Sequence, residues 1–144
     1  LYSYKIDRVF RKFGKMETAE NLDCDNFYLE SGDRCLINTG IAATVGKGYE
    51  IQIRPRSGNA LKRGITVLNT PGTIDESYRG MIGVILFNAS NVRCLIERGQ
   101  RIAQMIVSPV VLPNISVVDD LDITKRNDGG FGHTGTKELL NETE

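Results

Sequence analysis

Histidine is nearly absent from this chain of 144 residues: His133 stands alone, with no second imidazole and no cysteine cluster beside it. That argues against a zinc site. Cysteine is sparse as well. Cys24, Cys35 and Cys94 are an odd number at wide, irregular spacing, with no C-x-x-C pair. They read as buried reduced thiols of a cytosolic-type compartment, not as a disulfide framework. Long apolar runs are missing, and the longest, Met81 to Phe87, falls far short of a membrane span. No signal-peptide pattern opens the chain, which begins on Leu1 rather than Met and so leaves room for residues upstream. Net charge is also lacking, because 18 basic residues cancel 18 acidic ones. A nucleic-acid polymer or a membrane surface is therefore not expected as the main partner. There is no internal repeat, no low-complexity tract and no long helical stretch.

What remains is an ordinary globular composition of a length that fits one domain. A chain of this size buries only about two-thirds of its unfolded surface, so association of copies would help it. Short apolar segments alternate with Gly, Pro, Asn and Asp clusters. The segments predict strands at Arg34 to Asn38, Tyr49 to Arg54, Thr66 to Leu68, Met81 to Asn88, Arg93 to Ile96, Ile102 to Val111 and Ser116 to Leu121. Turns are expected at 31–33, 46–48, 97–99 and 113–114. Ala60 to Arg63 suits a short helical turn. Residues 2–13 fit both a strand (Tyr2, Tyr4, Ile6) and a helix (Ile6, Val9, Phe10, Phe13). Many short strands and little helix read as a sandwich, barrel or jelly roll. From Thr124 onward the chain is Gly-rich and polar, with Phe131 its one large apolar residue before position 135. Such a composition cannot bury a core and reads as a flexible arm, dividing the chain into a β domain at 1–123 and an arm at 124–144.

Four segments carry candidate chemistry. Arg54-Pro55-Arg56-Ser57-Gly58-Asn59-Ala60 puts guanidinium groups, a hydroxyl and a glycine at a strand end. Arginine matches phosphate oxygens bidentately, and Gly58 lets backbone N–H groups approach an anion. By itself this heptad is first of all a turn with exposed arginines. Asn69 to Gly80 turns at Pro71-Gly72 and holds Asp75 and Tyr78 three apart. A fixed carboxylate can accept a proton from water and a fixed ring can pack on a sugar face. A hairpin whose Asp caps its own turn fits the same residues equally well. In Gly99-Gln100-Arg101-Ile102-Ala103-Gln104, Arg101 and Gln104 lie on opposite faces of an extended chain, so one is expected inward or in an interface. A Gln satisfied by neighbouring backbone fits too. Finally, Arg126 to Gly135 combines an arginine, a hydroxyl, a lone Phe131 and four glycines, the makings of a lid over a phosphorylated ligand. A solvated tail is the alternative.

In order and spacing, R-P-R-S-G-x-A, N-x-P-G-x-I-D-x-x-Y-R-G, G-x-R-I-A-Q and R-x-x-G-G-F-G-x-T-G resemble the trimeric deoxyuridine triphosphatase family. The likeness covers roughly residues 29 to 136 and includes N-T-G-I and the G-x-G-Y turn between Ile37 and Tyr49. It implies an all-β jelly roll with a flexible C-terminal arm, assembled as a homotrimer with sites shared between subunits. It implies hydrolysis of dUTP to dUMP and pyrophosphate in the cytoplasm, with magnesium as cofactor. By similarity Asp75 is the general base. Tyr78 packs under the deoxyribose. The segment Asn69 to Met81, through Asn69, Gly72, Thr73, Ile74 and Met81, reads the uracil edge. Arg56, Ser57, Gly58 and Gln104 hold the α and β phosphates. Arg126 and Thr134 reach the γ-phosphate, and Phe131, followed by Gly132 and His133, stacks on uracil.

The chain departs from the family in places. The A-G-x-D-L motif expected before Leu29 is reduced to Thr18-Ala19-Glu20-Asn21-Leu22-Asp23, leaving Glu20, Asp23 or Asp25 as the carboxylate for magnesium's water shell. Met81 stands where an acidic residue is usual and Asn59 where an apolar one is. Two competing readings share the scaffold: a dCTP deaminase, disfavoured by the Asp-x-x-Tyr spacing and the G-G-F-G arm, and a nucleotide sensor without catalysis, disfavoured by the presence of Asp75, Tyr78 and Phe131.

Overall fold

Alternation of apolar and polar residues decides which side of each strand turns inward. The structure, a computed structural model, describes the backbone of residues 1–10, 16–18 and 26–130 and the side chains of residues 1–4 and 26–130. In β4 (Arg34–Ala42) Cys35, Ile37 and Thr39 are buried, and in β8 (Met81–Asn88) Ile82, Val84, Leu86 and Asn88 are. The two strands run antiparallel with Cys35 opposite Leu86 and Ile37 opposite Val84, so the inward residues stack in pairs. Full burial of each Ile or Leu stabilises the fold by about 1.5–3 kcal/mol.

Around this pair lie β1 (Lys5–Phe10), β2 (Met16–Thr18) and β6 (Ile65–Val67), completing a five-stranded sheet in the order β2-β1-β4-β8-β6. A second sheet, β10-β5-β7, is made of β10 (Gln104–Pro109), β5 (Tyr49–Arg54) and β7 (Gly72–Ile74). The third pairs β3 (Asn26–Leu29) with β9 (Cys94–Glu97). Their inward residues, among them Phe27, Leu29, Ile51, Ile53, Ile65, Val67 and Ile96, join one core with Ile102 and Ala103. The result is an all-β jelly roll in the unit Leu1–Leu112. The helix among the described residues is α1 (Ser57–Arg63). It buries no side chain, and it ends at Gly64, whose φ of 64° lets its N–H reach the carbonyls of Ala60 and Asn59.

The expected strands at 49–54 and 81–88 stand with those bounds, and β4 runs on to Ala42. Within residues 2–13, Lys5–Phe10 is a strand, and Phe13 lies outside the described residues. The strand expected at Ser116–Leu121 is not formed. Those residues belong to the unit Pro113–Glu144, whose described residues contain no strand to pair with. A short apolar segment that pairs with no other strand does not make a stable strand. Cys35 and Cys94 are buried free thiols, as expected, and Cys24 lies outside the described residues. No helix among the described residues is long and apolar enough to cross a membrane.

Asn88 is the polar tie of this core. Fully buried, its side-chain amide donates to the carbonyls of Leu29 (2.9 Å) and Val92 (2.8 Å). Its Oδ1 accepts from the Ser90 N–H (2.9 Å) and the Ser90 hydroxyl (2.7 Å). One side chain thus fixes the end of β3, the end of β8 and the turn that follows. Asn88→Ala removes four bonds and strands buried carbonyls, a loss expected at about 2–4 kcal/mol. Urea unfolding at fixed protein concentration should show a lower midpoint with an unchanged slope; a loss below about 0.5 kcal/mol would refute this role.

Candidate active site

Backbone N–H and C=O groups along a strand need partners on both edges. Strand β7 pairs with β5 on one edge only, Gly72 opposite Ile53 and Ile74 opposite Ile51. Strand β8 pairs with β4 along one edge, but β6 covers only Leu86 to Asn88 on the other. Strands β7 and β8 therefore belong to different sheets, and the link Asp75–Gly80 crosses between them instead of closing the hairpin that the sequence suggests. Two partly unpaired edges, Gly72–Ile74 and Met81–Val84, are left without a strand partner among the described residues.

A pocket of about 420 Å³ opens beside them, lined by Thr73 and Ile74 of β7, by Asp75 and Tyr78 of the link, and by Met81, Gly83 and Ile85 of β8. Leu36 and Asn38 of β4 complete its wall. Glycines set its shape by close approach. A Cβ at Gly83 would lie 2.8 Å from Leu36 Cδ1. At Gly80 it would lie 2.5 Å from the Tyr78 hydroxyl oxygen and 2.7 Å from Cζ, so only glycine there lets the ring take this position. The Tyr78 hydroxyl also donates to the Met81 carbonyl at 2.9 Å. Gly72 is packed against Asn69, whose amide nitrogen would be 3.2 Å from a Cβ at that position.

The two carboxylate oxygens of Asp75 divide their work. Oδ1 accepts three hydrogen bonds: from the Ser77 N–H (2.9 Å), the Ser77 hydroxyl (2.7 Å) and the Tyr78 N–H (2.9 Å). Among the described residues Oδ2 has no such partner. Asp75 therefore caps its own turn, though not within a hairpin, and leaves its second oxygen at the pocket. The hydroxyl and N–H of Ser77 hold the carboxyl below its ordinary value, with further help from the Tyr78 N–H and the Arg79 charge, partly opposed by desolvation.

A second group gathers at the end of β5. Arg56 is the extended residue that opens α1, with φ −98° and ψ 127°, and no side chain caps the helix start. The Gln104 amide donates to the Pro55 carbonyl at 2.8 Å, and the Asn59 amide to the Arg101 carbonyl at 3.2 Å. Arg101 and Gln104 are both exposed, with Ile102 and Ala103 buried between them, because the chain becomes a strand only at Gln104 and the two-residue alternation does not extend back to Arg101. A Cβ at Gly58 would meet nothing within 4 Å among the described residues. None of Arg56, Ser57, Gly58 and Gln104 lines the Asp75 pocket. In the other unit Arg126 closes a local turn, its Nε donating to the Gly129 carbonyl at 2.8 Å. Phe131, Gly132, His133 and Thr134, like Glu20, Asp23 and Asp25, lie outside the described residues. Sequence reasoning missed Ser77, although Asp-x-Ser at a turn is a recognisable signal. It also missed Leu36, Asn38 and Gly83, which only tertiary contact brings to the site.

The dUTPase family model matches residues 23–135. The deoxyuridine 5'-triphosphate nucleotidohydrolase of Hydrogenobaculum sp. is 56% identical over 105 residues, covering 73% of this chain and 73% of the relative. That of Ehrlichia canis is 59% identical over 109 residues, covering 74% and 71%. Among solved structures, a mutant dUTPase of Staphylococcus bacteriophage 80alpha with dUpNHpp has a TM-score of 0.68 at 24% identity, covering 78% of this chain and 82% of that one. A mutant dUTPase of phage phi11 of S. aureus, described with a coordinated structural Mg(II) ion, has a TM-score of 0.61 at 21% identity, covering 74% and 90%.

Ser77→Ala removes the strongest of the bonds that hold the Asp75 carboxyl down. Its titration, followed by carbon-13 NMR, should move to higher pH than in the unaltered protein. An unchanged or lower midpoint would contradict the assigned cause.

Proposed function

The chain belongs to the dUTPase family, and from that premise we propose how its residues carry the reaction. The protein hydrolyses dUTP to dUMP and pyrophosphate. Asp75 is the general base. Its bonded Oδ1 fixes the carboxylate while the free Oδ2 takes a proton from water. The water attacks the α-phosphorus in line, and the bond to the α–β bridging oxygen breaks, releasing pyrophosphate. A depressed pKa keeps Asp75 ionised, as a base must be, and limits activity only at acid pH.

Uracil enters the pocket between the open edges of β7 and β8. Backbone groups of Gly72, Thr73, Ile74 and Met81 read its edge, Asn69 supports the turn, and Tyr78 packs under the deoxyribose. Cytosine would set donor against donor there, and each unpaired buried group costs roughly 1–3 kcal/mol. Arg56, Ser57, Gly58 and Gln104 take the α and β phosphates, where the attack builds negative charge. The open space around Gly58 supports this reading, because the glycine serves something that approaches from outside the chain.

The observation that carries the assembly is that none of Arg56, Ser57, Gly58 and Gln104 lines the pocket that holds Asp75 and Tyr78. A shared site solves it: the Asp75 pocket of one copy is completed by the Arg56–Gln104 group of another, in a homotrimer. The segment 124–144 acts as an arm over this site, with Arg126 and Thr134 toward the γ-phosphate, Phe131 on uracil, and Gly132 and His133 at the same closure. Magnesium is the cofactor. The ion would be held through its water shell by one protein carboxylate. Glu20, Asp23 and Asp25 are the candidates for that carboxylate. When bound, the ion neutralises charge on the phosphates. The two buried free thiols fit a reducing, cytoplasmic setting.

Asp75→Asn should retain affinity for a non-hydrolysable dUTP analogue but release pyrophosphate at least about a hundredfold more slowly. The unaltered protein with magnesium should act on dUTP well ahead of dCTP, dTTP and UTP. Full turnover in the variant would refute the role of Asp75, and ammonia released from dCTP would point to a deaminase.

A further inference from the structure

The end of α1 and the turn between β8 and β9 enclose a groove of about 580 Å³ that shares no lining residue with the Asp75 pocket. Its walls are rigidly built. The φ of 64° at Gly64 brings the helix end so close to the turn that a Cβ there would lie 2.8 Å from Ser90 Cβ and 3.0 Å from Ser90 N. The Ala89 N–H donates to the Gly64 carbonyl at 2.9 Å, and the Cys94 thiol to the Arg63 carbonyl at 3.2 Å. The Arg63 guanidinium donates to the Leu95 carbonyl. From behind, the buried Asn88 holds Ser90 and Val92 in place. A surface fixed in this way loses little entropy when it binds a partner.

The groove's chemistry is one-sided. Lys62, Arg63 and Arg93 line it and no carboxylate does, although positive and negative charges balance over the whole chain. Arg93 lies over the Tyr28 ring, 4.4 Å from its centroid, which orients the guanidinium. Among the described residues neither Lys62 nor Arg93 has a carboxylate partner. Two aliphatic side chains stand in the same groove with little cover, Leu61 at 87% exposure and Val92 at 61%. Single exposed apolar residues are ordinary, but here two of them line one groove together with three cations.

We propose that this groove binds a short acidic peptide segment of a partner protein, with an aliphatic side chain seated between Leu61 and Val92 and carboxylates on Lys62 and Arg93. A phosphodiester polymer would satisfy the cations but leave both aliphatic groups against water, so the observations favour a peptide. The site is independent of the nucleotide reaction.

The test uses the whole protein and a fluorescein-labelled octapeptide, Asp-Glu-Leu-Glu-Asp-Leu-Glu-Glu, followed by anisotropy at about 0.15 M salt. Saturable binding is expected. The double variant Lys62→Glu with Arg93→Glu should weaken it at least about tenfold, and Leu61→Ser about three- to tenfold. A peptide with both leucines changed to serine should lose a similar factor. All variants should hydrolyse dUTP normally, which reports that they are folded. Absence of saturable binding, or equal binding by all variants, would overturn the proposal. So would displacement by a single-stranded oligonucleotide together with indifference to Leu61→Ser, which would mark the groove as a phosphate-polymer site.

Discussion

A strand edge that lacks a partner must find one in solvent, in a ligand or in another chain. In this fold the constraint falls on β7 and β8. They follow each other in sequence but enter different sheets, and the six residues between them leave both inner edges partly open. The resulting pocket presents backbone donors and acceptors whose positions are fixed by pairing on the far sides, to β5 and β4. Reading a planar base by its polar edge needs that kind of fixed, unpaired backbone. The pocket depends in turn on glycines that keep the ring of Tyr78 and the side chain of Leu36 where they are.

Asp75 has a structural task, and the catalytic one proposed for it can share the same side chain. The three bonds to Oδ1 anchor the turn and lower the carboxyl's pKa. They also leave Oδ2 as the oxygen open to a water. Pre-orientation of this sort puts the ordering of the base into the folding of the turn, so that it is not repeated in each turnover. Gly58 presents the complementary case. A Cβ there would meet nothing within 4 Å among the described residues, which leaves room for the phosphate contact proposed for it.

Much of this was legible in the sequence, for local reasons. Strands 49–54 and 81–88 announced themselves by β-branched runs between turn signals, and the motif residues fell at their ends. Asp75 and Tyr78 were visible because their spacing is short. Non-local features were hidden. That β7 and β8 part company is a matter of sheet topology, and alternation cannot report which sheet a strand joins. Ser116–Leu121 carries the apolar residues of a short strand but pairs with no strand among the described residues. Leu36 and Asn38 reach the pocket only because β4 lies beside β8. Asn88 reads as a strand-end polar residue, and its place as a fully buried tie depends on three segments meeting around it.

In the proposed site the base pocket of one copy works with the phosphate-gripping group of another. Subunit complementation tests it directly. A chain carrying Asp75→Asn and a chain carrying Arg56→Ala with Gln104→Ala are each inactive alone, and are unfolded together and refolded as a mixture. If the two groups come from different copies, random mixing restores about a quarter of the sites, and dUTP hydrolysis returns in that proportion. If mixing restores nothing while the mixed oligomers form, both groups act within a single chain and the account is wrong.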